Sequence, residues 1–384
     1  MPTPNDHTTP SQQPEQQAVP ANDEVTSENA ADILAADDAE DTAPARKGTS
    51  RRNLLIGGGV AVAALAVGGG WWATRSNKGA DGVTGAAEEI KLVIGGDICA
   101  APLYAAYHQG YFDDANLNVK LVRTQLTEDA KDAVGSGKYT GAPGIFFSWL
   151  EPIYNGLDAR LAGGFHSGCL RMVVGNDSPI TSLADLKGKK IGVPSLASSA
   201  FAYFSIGLTD AGIDPDPKAG QITWTTVDQD SLGTALADGT VDAITGSDPG
   251  ALLPVLKGTA HELANNDDAA FCCSVALNGT FVKEHRAEAK ALTEAWFKGS
   301  DWLAAGDDHL AEMAKTEVDN DYVATDEATV LKVLKTYGWT ASAVDFRKAI
   351  EPGIGEFKKT GFISSSIDAK TLADKVYVDL GITR

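Results

Sequence analysis

Basic residues are in short supply in this 384-residue chain: 32 Lys and Arg stand against 52 Asp and Glu, a formal net charge of −20. Nucleic-acid binding needs clustered cations to release the counterions of the phosphate backbone, and only one short basic run occurs, so a nucleic-acid partner is excluded. The 40 glycines follow no G-X-Y period, which excludes collagen. Signatures of catalysis are missing too: there is no G-x-S-x-G, no Walker loop, no H-E-x-x-H, and no G-x-G-x-x-G after a strand. No C-x-x-C occurs among the four cysteines, and no internal repeat is visible. What is present is ordinary globular usage, 43% apolar and 22% charged, in a length suited to about two or three domain-sized units.

The front of the chain differs from the rest. Residues 1–50 hold ten acidic side chains against Arg46 and Lys47, with six prolines and no aromatic. Such a segment buries too little apolar area to offset chain entropy, so it reads as a disordered acidic leader. Arg51-Arg52 then precede nineteen uncharged residues, Leu54 to Trp72, six of them glycine. Paired arginines before a mildly apolar run fit a twin-arginine export signal over 51–72. A single-pass anchor is the other reading, because nineteen residues at 1.5 Å rise span about 28 Å. In that case Trp71 and Trp72 settle at the far interface and the arginines stay inside. No cysteine follows the run, which excludes a lipoprotein anchor, and 73–88 reads as a linker. Both readings place the body outside the cytoplasm. The body keeps a charge of −16 once residues 1–80 are set aside.

Beyond residue 88, strand and helix patterns alternate, which argues an α/β sheet faced by helices. Ile90–Ile94 is a short apolar strand, and Leu117–Val122 alternates as a second. Pro102 opens a helix that runs through Tyr107, at a position where a missing N–H costs nothing. Ser182 to Asp185 resembles a capping box, Lys190–Val193 reads as a strand, and Ser195–Ser199 leads into a helix over 200–211. Val241–Ile244 reads as a strand, with Asp248-Pro249 as N-cap and first residue of a following helix. Ala289, Leu292, Trp296 and Leu303 repeat at helical spacing and read as core.

Several runs carry a family resemblance: Ala101-Pro102-Leu103-Tyr104-Ala105-Ala106-Tyr107-His108-Gln109-Gly110-Tyr111-Phe112, then Asn116 to Val119, Ile180 to Val193, Gly212 to Pro215, Leu236 to Ala243, and Lys359 to Ile363. In this order and spacing they resemble the nitrate/sulfonate/bicarbonate-type substrate-binding proteins of ABC importers, over about residues 89–383. The resemblance implies an α/β, two-lobed type II periplasmic-binding fold with two crossover strands, near Leu170–Gly175 and Cys273–Asn278. It implies a first lobe of 89–169 plus 274–384 and a second of 170–273. It further implies no catalysis, no cofactor, and capture of a small anion, sulfonate or related organic compound for a membrane permease with its ATPase. Segment 54–72 would hold the receptor to the membrane if uncleaved, and nothing signals dimerisation, so a monomer is expected.

Ligands in such folds sit beyond the carboxyl ends of the strands. Carried over residue by residue, the resemblance names Asp97, Cys99, Ala100, Gly144, Phe165, His166, Ser195, Ser198, Ser199 and Asp248. Ser198 and Ser199 stand at a helix start, where N–H groups suit an anion or simply need a cap. Phe165 and Trp149 are aromatic candidates for a cleft wall that also suit the core. Cys99, Cys169, Cys272 and Cys273 would all gather near the cleft and hinge. Three states stay open for them: a disulfide involving Cys169, free buried thiols, or a metal site drawn from Cys99, His166, Cys169 and Cys272. Neighbours in a strand point to opposite faces, so at most one of Cys272 and Cys273 would reach the cleft. The Cys/His residues leave open a metal- or redox-responsive binding protein, and the resemblance leaves open an enzyme of the pyrimidine-synthase branch of the same fold.

Overall fold

The computed structural model describes residues 89–123, 129–269 and 271–384. The expected acidic leader 1–50, the apolar segment 51–72 and the linker 73–88 lie outside the described residues. No helix among the described residues is long and apolar enough to cross a membrane.

Ten strands build two five-stranded mixed sheets. β1 (Ile90–Ile94), β2 (Val119–Arg123), β3 (Gly141–Ile145) and β4 (Ala159–His166) come first, and β5 (Leu170–Gly175) already belongs to the other sheet. There it joins β6 (Lys190–Val193), β7 (Thr223–Thr226), β8 (Ala243–Ser247) and β9 (Ala260–Asn265), after which β10 (Cys273–Asn278) returns to the first sheet. The orders are β2-β1-β3-β10-β4 and β7-β6-β8-β5-β9. Each sheet thus has three parallel strands, then a strand from the crossing chain inserted antiparallel, then an outer strand. One topology is used twice without any repeat in the sequence. The two lobes are therefore joined at two places, between β4 and β5 and between β9 and β10.

Local patterning accounts for most elements. β1 and β6 occupy the spans the apolar runs predict. β2 starts two residues later than expected, at Val119. β8 also starts two residues late, because Asp242 is used otherwise: its N–H donates to the Lys190 carbonyl and its carboxylate accepts from the Lys190 N–H. The helix Ala101–His108 carries Pro in its first turn, and Ser182 with Asp185 forms the capping box. The stripe Ala289, Leu292, Trp296 and Leu303 is buried in the helix Arg286–Ala304. That helix lies against Ala101–His108, and Gly299 permits the approach: a Cβ there would stand 2.0 Å from the Pro102 carbonyl oxygen.

One expected helix start is not there. Asp248-Pro249 opens no helix; a turn follows, and the short helix begins at Leu253 with Leu252 as its N-cap. The Asp248 carboxylate is committed elsewhere, to the buried guanidinium of Arg171 on β5. A charge in the interior needs its partner more than a helix end needs a cap.

Candidate functional site

A cavity of 590 Å³ opens between the two sheets, at the ends of β1, β3 and β8. Its lining comes from chain segments that are far apart in sequence: Asp97, Cys99 and Ala100 after β1, Lys131, Gly144, Ser195, Ala197 to Ser199, Gln229-Asp230 and Ser247. Two contacts cross it. The Ser247 hydroxyl donates to Asp97 Oδ1 at 2.7 Å, and Lys131 Nζ donates to the Ala197 carbonyl at 3.4 Å. Away from the cavity, at the other end of the helix Ser199–Asp210, Lys359 pairs with Asp210 at 3.2 Å and also links the lobes.

The cavity has two unlike ends. At one, Lys131 is placed by Asp129, which caps its short helix and lies 3.4 Å from Nζ. Here also the helix Ser199–Asp210 begins: Ser198 Oγ accepts from Phe201 N at 3.2 Å, and a helix start supplies more N–H donors than one cap satisfies. At the other end stand Asp97, Asp230 and Ser247, with Gln229 Nε2 donating to the Ser247 carbonyl. Burial, and then the facing Cys99, push the Asp97 carboxyl up to about 7, against the Ser247 hydrogen bond, which lowers it. Among the described lining residues Lys131 is the one cation, against Asp97, Asp129 and Asp230.

That shift has a measurable sign. An acid whose folded pKa lies above its unfolded value, near 4, binds its proton more tightly when folded. Unfolding free energy therefore falls as pH rises from about 4 to about 7, and Asp248, also raised to about 7 by burial despite Arg171, adds to the trend. We expect a higher Tm at pH 5.5 than at pH 8, with a flatter profile in Asp97→Asn. A Tm that climbs steadily from pH 5.5 to 8 in both proteins would contradict the assignment.

Seven of the ten expected site residues line the cavity: Asp97, Cys99, Ala100, Gly144, Ser195, Ser198 and Ser199. Three do not. Phe165 is fully buried with its ring 5.7 Å from that of Trp296, and Ser300 donates to its carbonyl. His166 lies behind Cys99, its ring stacked 5.1 Å from Tyr337. Asp248 faces Arg171, with Tyr337 OH donating to its Oδ2 at 3.2 Å. The indole of Trp149 is nearly buried yet forms part of the wall, packed over Gly144. Lys131, Gln229 and Asp230 are lining residues that sequence reasoning missed. Asp129 as an N-cap was the available signal for the first; nothing local marks the other two.

The four cysteines converge as buried free thiols beneath the cavity floor. Cys273 lines the cavity and Cys272 does not, as strand alternation requires. Cys169 Sγ lies 2.8 Å from Cys272 Sγ, and Cys273 Sγ 3.8 Å from Cys99 Sγ. Hydrogen bonds from Cys169 and Cys273 hold the Cys99 thiol well below its ordinary range, while burial pushes Cys169 and Cys273 well above it. The compact group of mutually close donor atoms is Cys99, His166, Cys169 and Cys273. The expected set had Cys272 in place of Cys273. Cys272 is turned away from the cavity floor and accepts instead from the Asn266 amide at 2.8 Å.

With this geometry in view, comparison with known proteins becomes informative. The family model described as NMT1/THI5 like matches residues 98–309, more than half of the chain. The chain belongs to the NMT1/THI5-like family. Comparison with curated protein sequences finds no match. Solved structures do match this NMT1/THI5-like chain. The periplasmic nitrate-binding protein of Synechocystis PCC 6803 has a TM-score of 0.63 at 15% identity, covering 75% of this chain and 86% of its own. The alkanesulfonate-binding protein of Xanthomonas axonopodis pv. citri, bound to MOPS, scores 0.60 at 17% identity, covering 74% and 97%. The ligand-binding component of an ABC-type import system from Staphylococcus aureus, with zinc bound, scores 0.59 at 14% identity, covering 76% and 96%. At such identities the likeness establishes the fold, a two-lobed type II periplasmic-binding fold, as the sequence resemblance implied.

Proposed function

We propose that this NMT1/THI5-like chain is the extracytoplasmic solute receptor of an ABC importer. It captures a small ligand between its lobes and hands it to a membrane permease with its ATPase. The observation that carries this reading is the 590 Å³ interlobe cavity spanned by Asp97–Ser247 and Lys131–Ala197. Contacts that cross a ligand site from one lobe to the other help a hinge favour its closed state. The lobes in this reading are 89–169 with 274–384, and 170–273. The role proposed is binding rather than catalysis, as in the nitrate- and alkanesulfonate-binding proteins whose fold it shares. The twin-arginine-type segment supports export, or tethering through 54–72.

The unlike ends of the cavity narrow the ligand. Lys131 and the helix start at Ser199 suit an acidic group, whereas Asp97 and Asp230 oppose a bare anion and welcome an amine or amide N–H. A small organic solute with an acidic end and an N–H donor end, such as an aminosulfonate, fits better than nitrate or bicarbonate. A thermal-shift panel on the full-length chain tests this with taurine, an unsubstituted alkanesulfonate, nitrate, bicarbonate and a pyrimidine. A true ligand at a hundredfold excess over its Kd adds about 2.7 kcal/mol. Stabilisation by taurine above the alkanesulfonate, reduced at least tenfold in affinity by Lys131→Ala, is the expected result. Stabilisation by nitrate alone would overturn the two-ended ligand, and chemical turnover of any panel member would overturn the receptor.

A further inference from the structure

Beneath the cavity floor the structure assigns a second site: Cys99, Cys169, Cys273 and His166 form a buried Cys3His centre for zinc. This inference does not depend on the identity of the solute or on the receptor reading.

The donors arrive from three parts of the chain and meet where the two lobes are joined. Cys99 follows β1, His166 ends β4, Cys169 lies in the first connection between the sheets, and Cys273 opens β10 after the second. One ligand atom from each lies within 4.8 Å of all the others. Zinc–sulfur bonds of about 2.3 Å in a tetrahedron place two sulfurs about 3.8 Å apart. Cys99 Sγ and Cys273 Sγ are 3.8 Å apart.

The imidazole is set up as a ligand. His166 is fully buried, and its Nδ1 lies 3.2 Å from the Ser167 carbonyl oxygen, which only an N–H can satisfy. That bond fixes the proton on Nδ1 and leaves Nε2 with a lone pair. Nε2 makes no hydrogen bond of ordinary geometry and faces the Cys99 sulfur. The groups around that lone pair are thiols, Cys99 among them, and one metal ion shared by Nε2 and the deprotonated sulfurs satisfies all of them together. The ring cannot turn away, because Tyr337 stacks on it at 5.1 Å.

The fourth cysteine has a different task. Asn266 Oδ1 accepts from the backbone N–H groups of Cys169 and Leu170 at 2.8 and 2.9 Å. This fixes the amide so that its NH2 points at Cys272 Sγ, 2.8 Å away. Cys272 in turn holds the Cys169 sulfur at 2.8 Å. Asn266 and Cys272 thus orient a ligand in the way outer-shell partners of metal sites do. Four protein donors fill a tetrahedron, which is the closed arrangement of a structural zinc site. Cys99 and Cys273 border the cavity, so the ion has a way in through the cleft floor.

Zinc content per chain tests the assignment, measured on full-length protein purified without oxygen, incubated with zinc and freed of loose metal by a brief chelator wash. We expect about one zinc per wild-type chain, at least a tenfold loss in Cys273→Ser and His166→Ala, and retention in Cys272→Ser. Cobalt in place of zinc in the wild type should give thiolate charge-transfer bands and the strong d–d bands of a tetrahedral site, a readout that stands even if a variant does not fold. Less than a tenth of a zinc per wild-type chain, copper retained in its place, or octahedral cobalt spectra would overturn the proposal. So would a mass two hydrogen atoms below the reduced chain with zinc excluded, because Cys169 and Cys272 would then be a disulfide. Solute binding unchanged in zinc-free protein would leave the receptor reading intact and separate the two questions.

Discussion

Arg171→Ala is expected to lower stability by about 3–5 kcal/mol at pH 8, a Tm loss of roughly 6–12 °C. Arg171 is almost entirely buried on β5, and its guanidinium serves four partners. Nη1 meets Asp267 at 2.6 Å and Glu262 at 3.3 Å, Nε lies 3.4 Å from Asp248, and Nη2 donates to the Thr336 hydroxyl at 3.2 Å while facing Asp248 at 3.5 Å. Behind them, Tyr337 OH donates to the same Asp248 oxygen. Thr336 and Tyr337 come from the C-terminal part of the chain and Asp248 from the end of β8, so one cation pins three segments at the joint between the lobes.

The cost falls mainly on Asp248. Its carboxylate has no access to solvent, and without Arg171 it has no countercharge, whereas Asp267 and Glu262 are partly exposed and rehydrate. Asp248 already titrates near 7, so acid offers it an escape: protonation removes the unpaired charge. The loss in Arg171→Ala should therefore shrink on going from pH 8 to pH 5.5, and Arg171→Leu with Asp248→Leu should recover part of it. Thermal unfolding at both pH values decides this. A loss that is equal at the two, or a double variant no better than the single, would show that Asp248 is not where the cost falls.

Gly144→Ala joins a stability effect to a functional one. A Cβ on Gly144 would stand 1.8 Å from Trp149 Nε1 and 2.6 Å from Cε2, distances no rotamer adjustment of a buried indole absorbs. β3 cannot yield either, because the Gly144 carbonyl accepts from Ser274 Oγ at 2.9 Å in register with β10. Overpacking of this kind costs about 1–3 kcal/mol. An indole displaced toward the cavity it walls takes up the solute's space, so solute affinity should fall at least tenfold. Titration of Gly144→Ala against wild type, alongside Tm, checks both. Unchanged affinity with an unchanged Tm would mean that Trp149 does not wall the site.

The sequence alone determined the elements whose causes are local. β1 and β6 follow from short apolar runs, the helix at Ala101 from Pro102, the capping box from Ser182 and Asp185, and the buried stripe of Arg286–Ala304 from helical spacing. The order of these elements, with the runs from Ala101 to Phe112 and from Ile180 to Val193, was enough to read the two-lobed fold and its family. Tertiary structure decided what depends on distant segments meeting. Asp248 has the sequence of a helix cap, but Arg171, 77 residues away, takes its charge into the interior. Gln229 and Asp230 carry no local mark and reach the cavity because the segment after β7, which pairs with β6, meets the end of β8, where Gln229 donates to the Ser247 carbonyl. The choice between Cys272 and Cys273 depended on strand phase, which is set by the pairing of β10 with β3 and β4 rather than by any residue near the cysteines. Periodicity and caps act over a few residues. Charge pairing, cavity walls and ligand sets are fixed by which surfaces burial forces together.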